Sequence, residues 1–240
     1  MTTSHPTPSS TPIRVISSMA TKPLLADLAR LFEAHYPEFS VQIESVGGVD
    51  AAKRVHAGEA FDCVVLASNA INTLLQEGKL VAGSRIDLVH SGVAVAVPSG
   101  APRPDISSEE ALKQAVLQAT TLGYSTGPSG VQLAKLFERW DIVDQIKSKL
   151  VQAQPGIPVG ALIAQGQVTL GFQQLSEMMG VAGITVLGPL PDAVQITTTF
   201  SGGVSATSAQ PRAAQVLLSF WASSATLKTK VSHGMQAATS

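Results

Sequence analysis

Ile13-Arg14-Val15-Ile16-Ser17-Ser18-Met19-Ala20-Thr21 opens the stretch whose order decides the fold. Its first four residues read as a short buried strand, and small hydroxyl residues follow at once. From Pro23 to His35 the apolar residues Leu24, Leu25, Leu28, Leu31 and Phe32 recur at helical spacing. Tyr36-Pro37 stops that helix, because the residue before a proline disfavours the helical region. Val41 to Val46 alternates as a second strand, Gly47-Gly48 turns the chain, and Val49 to Ala57 reads as a second helix ending at Gly58. Phe61 to Ala67 is a third, continuously apolar strand. The order βαβαβ with short connections predicts parallel strands joined by right-handed crossovers.

The same logic repeats further along. Gly92 to Pro98 is a long apolar strand after His90-Ser91, and it ends in the proline- and glycine-rich stretch Ser99 to Pro104, where a crossover to a second lobe is expected. Helices are predicted over Ser108 to Ala119, Gly130 to Trp140 and Val159 to Gln165, and strands over Thr121 to Tyr124 and Thr169 to Phe172. A loop spans Gln154 to Pro158. Ile184 to Leu187 and Ala193 to Phe200 read as strands, and Pro211 to Ser223 as a closing amphipathic helix. The expected architecture is α/β and two-lobed, each lobe a mostly parallel sheet flanked by helices, with a ligand cleft between them. Residues 1–12 form a Ser/Thr/Pro-rich disordered tail, residues 13–90 with 197–240 a discontinuous first lobe, and residues 91–196 the second.

Composition narrows the function. Charged residues make up 14% of the 240, against roughly 25% in typical soluble domains, so the interior must be built from Ala, Val, Leu and Ile. A formal net charge of -1 and the lack of any Lys/Arg run exclude steering onto nucleic acid. The single cysteine, Cys63, cannot form an internal disulfide and sits in an apolar run as a packed small hydrophobe. No segment approaches the ~18 continuous apolar residues of a membrane span, so no membrane insertion is expected. Met1 to Pro12 lacks the basic start and apolar core of a leader. The expected location is cytoplasmic for the sequence as written, and periplasmic if a native leader has been removed.

In parallel α/β sheets ligands bind beyond the carboxyl ends of the strands. The loops there are Ser17-Ser18-Met19, Gly47-Gly48, Ala67-Ser68-Asn69 and Tyr124 to Gly130. Ser125, Thr126, Ser129 and Gly130 precede or open a helix and offer hydroxyls with free backbone N–H groups, the equipment of an anion site. Ser17, Ser18, Ser68 and Ser129 serve equally well as helix N-caps. The sequence has no G-x-S-x-G elbow, no phosphate-binding glycine-lysine loop and no His or Cys pair at metal-ligand spacing, so neither a cofactor nor a metal is called for. His5, His35, His56, His90 and His233 are scattered, and only His90, near the crossover, is placed to face a cleft.

With these loops in place the chain resembles the molybdate-binding family of solute receptors over about Ile13 to Ala237. The likeness is carried by Ser17-Ser18-Met19, Val46-Gly47-Gly48, Gly58 to Ser68, Val95 to Gly100, the Gly127 to Gly130 turn and Gly166 to Phe172. The resemblance implies a periplasmic-binding-protein-like fold, a small oxyanion held by hydroxyls and backbone N–H groups, and an ABC transporter membrane subunit as partner. Ser18 matches the first-loop serine. Val49 stands where the family has a hydroxyl, Gln174 where it has a tyrosine, and Pro158 where a backbone N–H would donate. An amide at Gln173 or Gln174, with the Tyr124 to Ser129 loop, suits planar carboxylates, which points to a di- or tricarboxylate. The first reading is therefore a substrate-binding protein that closes on a small anion about a hinge near Ser91 and Thr197 to Ser201. The alternative follows a branch resembling aconitate isomerase, which needs one group to remove and return a proton. Glu177, His90 and Lys22 are the candidates for that group, and the sequence does not choose among them.

Overall fold

The computed structural model describes residues 11–154 and 156–238. The expected tail, residues 1–12, lies outside these except for Thr11 and Pro12. The chain runs β1 (Ile13–Ser18), α1 (Lys22–His35), β2 (Val41–Val46), α2 (Gly48–His56), β3 (Cys63–Ala67), α3 (Ser68–Gln76) and β4 (Ile86–Pro98). It continues with α4 (Glu109–Gln118), β5 (Leu122–Tyr124), α5 (Pro128–Arg139), α6 (Val143–Ile146), β6 (Leu150–Gln152), α7 (Val159–Ala164), β7 (Leu170–Gln174) and α8 (Leu175–Met178). Last come β8 (Ile184–Pro189), β9 (Thr197–Val204), α9 (Pro211–Ala222), α10 (Leu227–Ser232) and β10 (Met235–Ala237). No described helix is long and apolar enough to cross a membrane.

The strands that alternate with helices pair in parallel, as their spacing requires: β1 with β2 and β3, and β5 with β6 and β7. Between the two groups the pairing is antiparallel, β9 lying between β3 and β4, and β4 also pairing β7, β8 and β10. The sheet is therefore mixed, because β4 and β9 carry the chain between the two groups in opposite directions. β4 changes partners along its length. Ile86 to Gly92 pair with β9, and Val93 to Pro98 pair with β7 and β8.

Gln195 stitches this changeover by accepting hydrogen bonds from the backbone N–H groups of Val93 and Ile196, at 3.1 and 2.8 Å. It also displaces a predicted element. The strand expected over Ala193 to Phe200 begins only at Thr197, since Asp192–Val194 form a 3-10 turn and the Gln195 side chain then accepts the Ile196 N–H and shares the Val93 N–H with the Ile196 carbonyl.

Each group of strands has its own core. Phe32, Leu217, Leu218 and Trp221 pack one face of the β1 side, where Cys63 is fully buried. Its thiol donates to the Ala214 carbonyl at 3.6 Å, and burial pushes its pKa well up, as a packed hydrophobe requires. Val95, Leu133, Phe137 and Phe172 form the other core. Glycines bring α7 tight against β5 and β7: a Cβ on Gly123 would meet Val159 at 3.0 Å, and one on Gly171 would meet Ile163 at 2.5 Å. That approach carries the start of α7 to the strand ends, where the cleft lies.

Candidate anion-binding cleft

A cleft of about 720 Å³ opens beyond the carboxyl ends of the parallel strands, walled by residues from both strand groups. Ser18 and Met19 after β1, Gly47 to Asp50 at the start of α2, and Asn69 in the first turn of α3 form one wall. Ser125 to Ser129, Gln154, Gly156 to Pro158 and the run Gln173, Gln174 and Glu177 form the other. Thr198 and Phe200 of β9 also line it.

The helices that begin at these walls share a feature. α2, α3, α5 and α7 have no side-chain N-cap, as is true of every described α-helix except α4, which Ser108 caps by accepting from Ala111 N–H at 3.1 Å, and the N-termini of these four line the cleft. Apart from the Gly160 N–H of α7, which the Gln173 side chain accepts, these helices leave first-turn N–H groups without a side-chain acceptor, and their dipoles favour negative charge. The N-cap reading of the serines fails accordingly. Ser68 is the first residue inside α3 and Ser129 the second inside α5, and neither they nor Ser18 cap a helix.

Of the residues picked from sequence, Ser18, Met19, Gly47, Gly48, Ser125, Thr126, Ser129, Pro158, Gln173 and Gln174 come together in the cleft. Ser17, Ser68 and Gly130 do not line it. Ser17 is turned to the other side of β1, where its hydroxyl pairs with that of Ser45 at 2.8 Å. Gly130 answers a steric demand: a Cβ there would lie 1.8 Å from the Ser125 carbonyl oxygen, so its glycine lets the preceding loop fold onto α5. Gly47 and Gly48 do not form the expected turn. Gly47 has φ of −54°, and β2 passes directly into α2 with Gly48 packed beside Ser18.

Two cleft residues hold buried polar atoms with no protein partner, the Ser18 hydroxyl and the Gln174 carbonyl oxygen. An orphaned buried polar atom is costly, and a ligand is one way to satisfy it. The other end of the Gln174 amide donates to Thr198 Oγ1 at 2.8 Å. Gln173 accepts from the Gly160 N–H at 3.3 Å. The basic side chains on the cleft wall, Lys53 and His56, each lie beside an acid, Asp50 at 4.0 Å and Glu77 at 2.9 Å. Charge on a ligand would therefore meet hydroxyls and N–H dipoles ahead of free counter-charges.

The three proton-transfer candidates separate cleanly. Lys22 is exposed at the start of α1, and His90 is bound to Thr199 Oγ1 at 2.9 Å; neither lines the cleft. Glu177 does. Burial pushes its carboxyl up to about 7, and a hydrogen bond from the Gln173 side chain opposes part of that rise. His56, Thr198 and Phe200 were not picked out from sequence, since each reaches the cleft through tertiary placement with no local motif.

A mixed α/β sheet with uncapped helix ends converging on one cleft is the build of a solute-binding protein, and the chain belongs to the bacterial extracellular solute-binding protein family, whose profile matches residues 13–236. Among curated proteins it is 33% identical over 233 residues to an aconitate isomerase from Pseudomonas sp., covering 94% of this chain and 88% of that protein. Among solved structures it resembles the Azotobacter vinelandii periplasmic molybdate-binding protein, with a TM-score of 0.79 at 16% identity, over 95% of this chain and 100% of that one. The Mycobacterium tuberculosis sulfate-binding protein gives 0.74 at 17% identity, over 94% and 86%. At such identities the structural likeness establishes the two-domain solute-receptor fold, and the ligand has to be argued from the cleft.

Proposed function

We propose that this protein is an isomerase of a small unsaturated di- or tricarboxylate, interconverting cis- and trans-aconitate, with Glu177 as the proton carrier. The observation that carries the reading is the Glu177 carboxyl, half-buried on the cleft wall and raised to about 7, where it can both take and return a proton near neutral pH. The likeness to an aconitate isomerase along nearly the whole chain supports it.

In this reading Glu177 as a carboxylate removes a proton from the substrate methylene. The C–H electron pair becomes the new double bond to the central carbon, while the old π pair takes the proton back from Glu177 at the former vinyl carbon. Atoms and charge balance without a co-reactant. Negative charge spreads onto the substrate carboxylates during the shift, and the free N–H groups of α2 and α5 are oriented to stabilise it.

A second reading is a receptor that closes on the same anion without chemistry and delivers it to an ABC transporter membrane subunit from the periplasm. It is favoured by the uncapped helix ends, which need only bind. Closure would bend the chain where β4 changes partners at Gly92-Val93 and where β9 begins at Thr197. Incubation with cis- or trans-aconitate in deuterated water, followed by NMR, separates the two. Deuterium incorporation with conversion, lost in Glu177→Gln, is the expected result; saturable binding without conversion would establish the receptor.

A further inference from the structure

We infer that Gln174 is a specificity-determining residue of the cleft, its buried carbonyl oxygen accepting a hydrogen bond from a hydroxyl on the ligand, so that hydroxylated tricarboxylates bind there as well as unsaturated ones. The inference rests on the carboxylate reading of the cleft and adds to it a second functional group on the ligand.

The two unpartnered polar atoms of the cleft residues make different demands. The Ser18 hydroxyl can donate, so a carboxylate satisfies it. The Gln174 oxygen can only accept, and a carboxylate offers it nothing. Gln174 ends β7 and leads directly into α8, and at 3% exposed its side chain is held by packing. Its N–H₂ end is spent on the buried Thr198 Oγ1 at 2.8 Å. The neighbouring amide does not share the load, because the Gln173 oxygen already accepts from the Gly160 N–H at 3.3 Å.

The two ends of an amide have the same shape, and a threonine hydroxyl can accept or donate, so the Thr198 contact alone does not orient Gln174. The cleft does. The N-termini of α2, α3 and α5 line it, and the positive ends of their dipoles favour the negative, carbonyl end of the amide facing inward. Turned the other way, the amide would add one more unpaired donor to a wall of donors.

A ligand built of carboxylates alone, aconitate included, engages those donors and leaves the Gln174 oxygen bare. A hydroxyl on the same carbon skeleton supplies the missing hydrogen-bond donor. In the isomerase reading such a ligand has no double bond to move and occupies the cleft as a competitive inhibitor. In the receptor reading it is the more tightly held cargo.

The test compares citrate with tricarballylate, which has the same skeleton and carboxylates without the hydroxyl, by calorimetry in metal-free buffer at about pH 8, where the carboxylates of both are ionised. Wild-type protein is expected to bind citrate about tenfold more tightly, the scale of one hydrogen bond made in a buried site. Gln174→Met keeps the length of the side chain and removes the acceptor, and the ratio of affinities is expected to fall to about one, the two ligands and two proteins forming a double cycle. Thr198→Val, which leaves the oxygen but frees the amide that carries it, is expected to narrow the ratio as well, and it serves if the methionine variant does not fold. Equal affinities in the wild type would overturn the inference, and an equal loss of both in Gln174→Met would then show the amide turned with its N–H₂ end to a carboxylate. A preference for citrate that survives Gln174→Met would assign the hydroxyl to another group and overturn it too. If neither ligand binds the wild type, the carboxylate reading itself falls and the inference with it.

Discussion

Ser176 donates its hydroxyl to the backbone carbonyl of Ala20 across 3.0 Å, a buried hydrogen bond between residues 156 positions apart. It ties α8, which carries Glu177, to the turn that follows Ser18 on the other wall of the cleft. Glu177 and the unpartnered Ser18 hydroxyl thus sit on segments that this contact joins. Val49 and Ile157, both exposed and apolar, line the cleft as well.

Ser176→Ala leaves the Ala20 carbonyl without this donor in a buried place. The expected loss of stability is about 1–2 kcal/mol, typical of a buried acceptor stripped of its partner. Urea unfolding checks this. In the isomerase reading kcat should fall more than affinity, because Glu177 loses its registry with the opposite wall while the anion donors remain.

How much of this was legible beforehand depends on the length scale of each signal. Helices such as α1 and α5 and strands such as β2 repeat their apolar spacing over several residues, and the structure has them within a residue or two of expectation. α8 is one turn, Leu-Ser-Glu-Met, too short for any period to register, so Glu177 could be named but not placed. Ser17 and Ser18 are adjacent in a strand of period two, and sequence could not say which one faces the cleft. Gly130 is expected from sequence to offer a free N–H at a helix start; what its lack of a side chain admits is the Ser125 carbonyl of its own loop.

Glu177 also fixes the pH dependence of folding. Its carboxyl titrates near its ordinary 4.5 in the unfolded chain and near 7 in the fold. Between these values the unfolded chain has released the proton while the folded one still holds it, so stability falls as pH rises from about 4.5 to about 7 and then levels off. Glu177→Gln is expected to abolish that fall and to gain on the wild type at pH 8. Parallel pH profiles for the two proteins in chemical denaturation would contradict the buried carboxyl. The same titration means that even a receptor would bind its anion more weakly above neutrality, where the wall acquires a negative charge, although its hydroxyl and N–H donors do not titrate.

Ser18 and Ser129 give a cleaner separation of binding from folding. Neither hydroxyl caps a helix, and that of Ser18 has no protein partner at all. Ser18→Ala should therefore leave the unliganded protein as stable as before, or slightly more so, while weakening ligand binding by about 1–3 kcal/mol, the range for one hydrogen bond to a charged group. Ser129→Ala should act in the same sense. Calorimetry of ligand binding beside thermal unfolding of the free protein measures both quantities. A drop in free-protein stability without loss of affinity would return these serines to a structural role.

Ligand choice follows from what the cleft lacks as well as what it holds. A tetrahedral oxyanion needs convergent donors at close quarters, yet Val49 brings no hydroxyl to the α2 end, and Pro158 brings no N–H to the start of α7. Gln174 instead offers a planar amide, half spent on Thr198. A cleft of about 720 Å³ is in the range that encloses multi-atom organic ligands, far larger than molybdate requires. Its donors are also spread over α2, α3, α5 and α7, which suits several carboxylates on one carbon skeleton better than four oxygens on one centre. In a thermal-shift series the melting temperature is accordingly expected to rise with trans-aconitate, cis-aconitate and citrate, through preferential binding to the folded state, and to stay near its free value with molybdate and sulfate. Tight molybdate binding with no response to any tricarboxylate would mean that α2 and α5 close to a much smaller site, and the carboxylate assignment would fall.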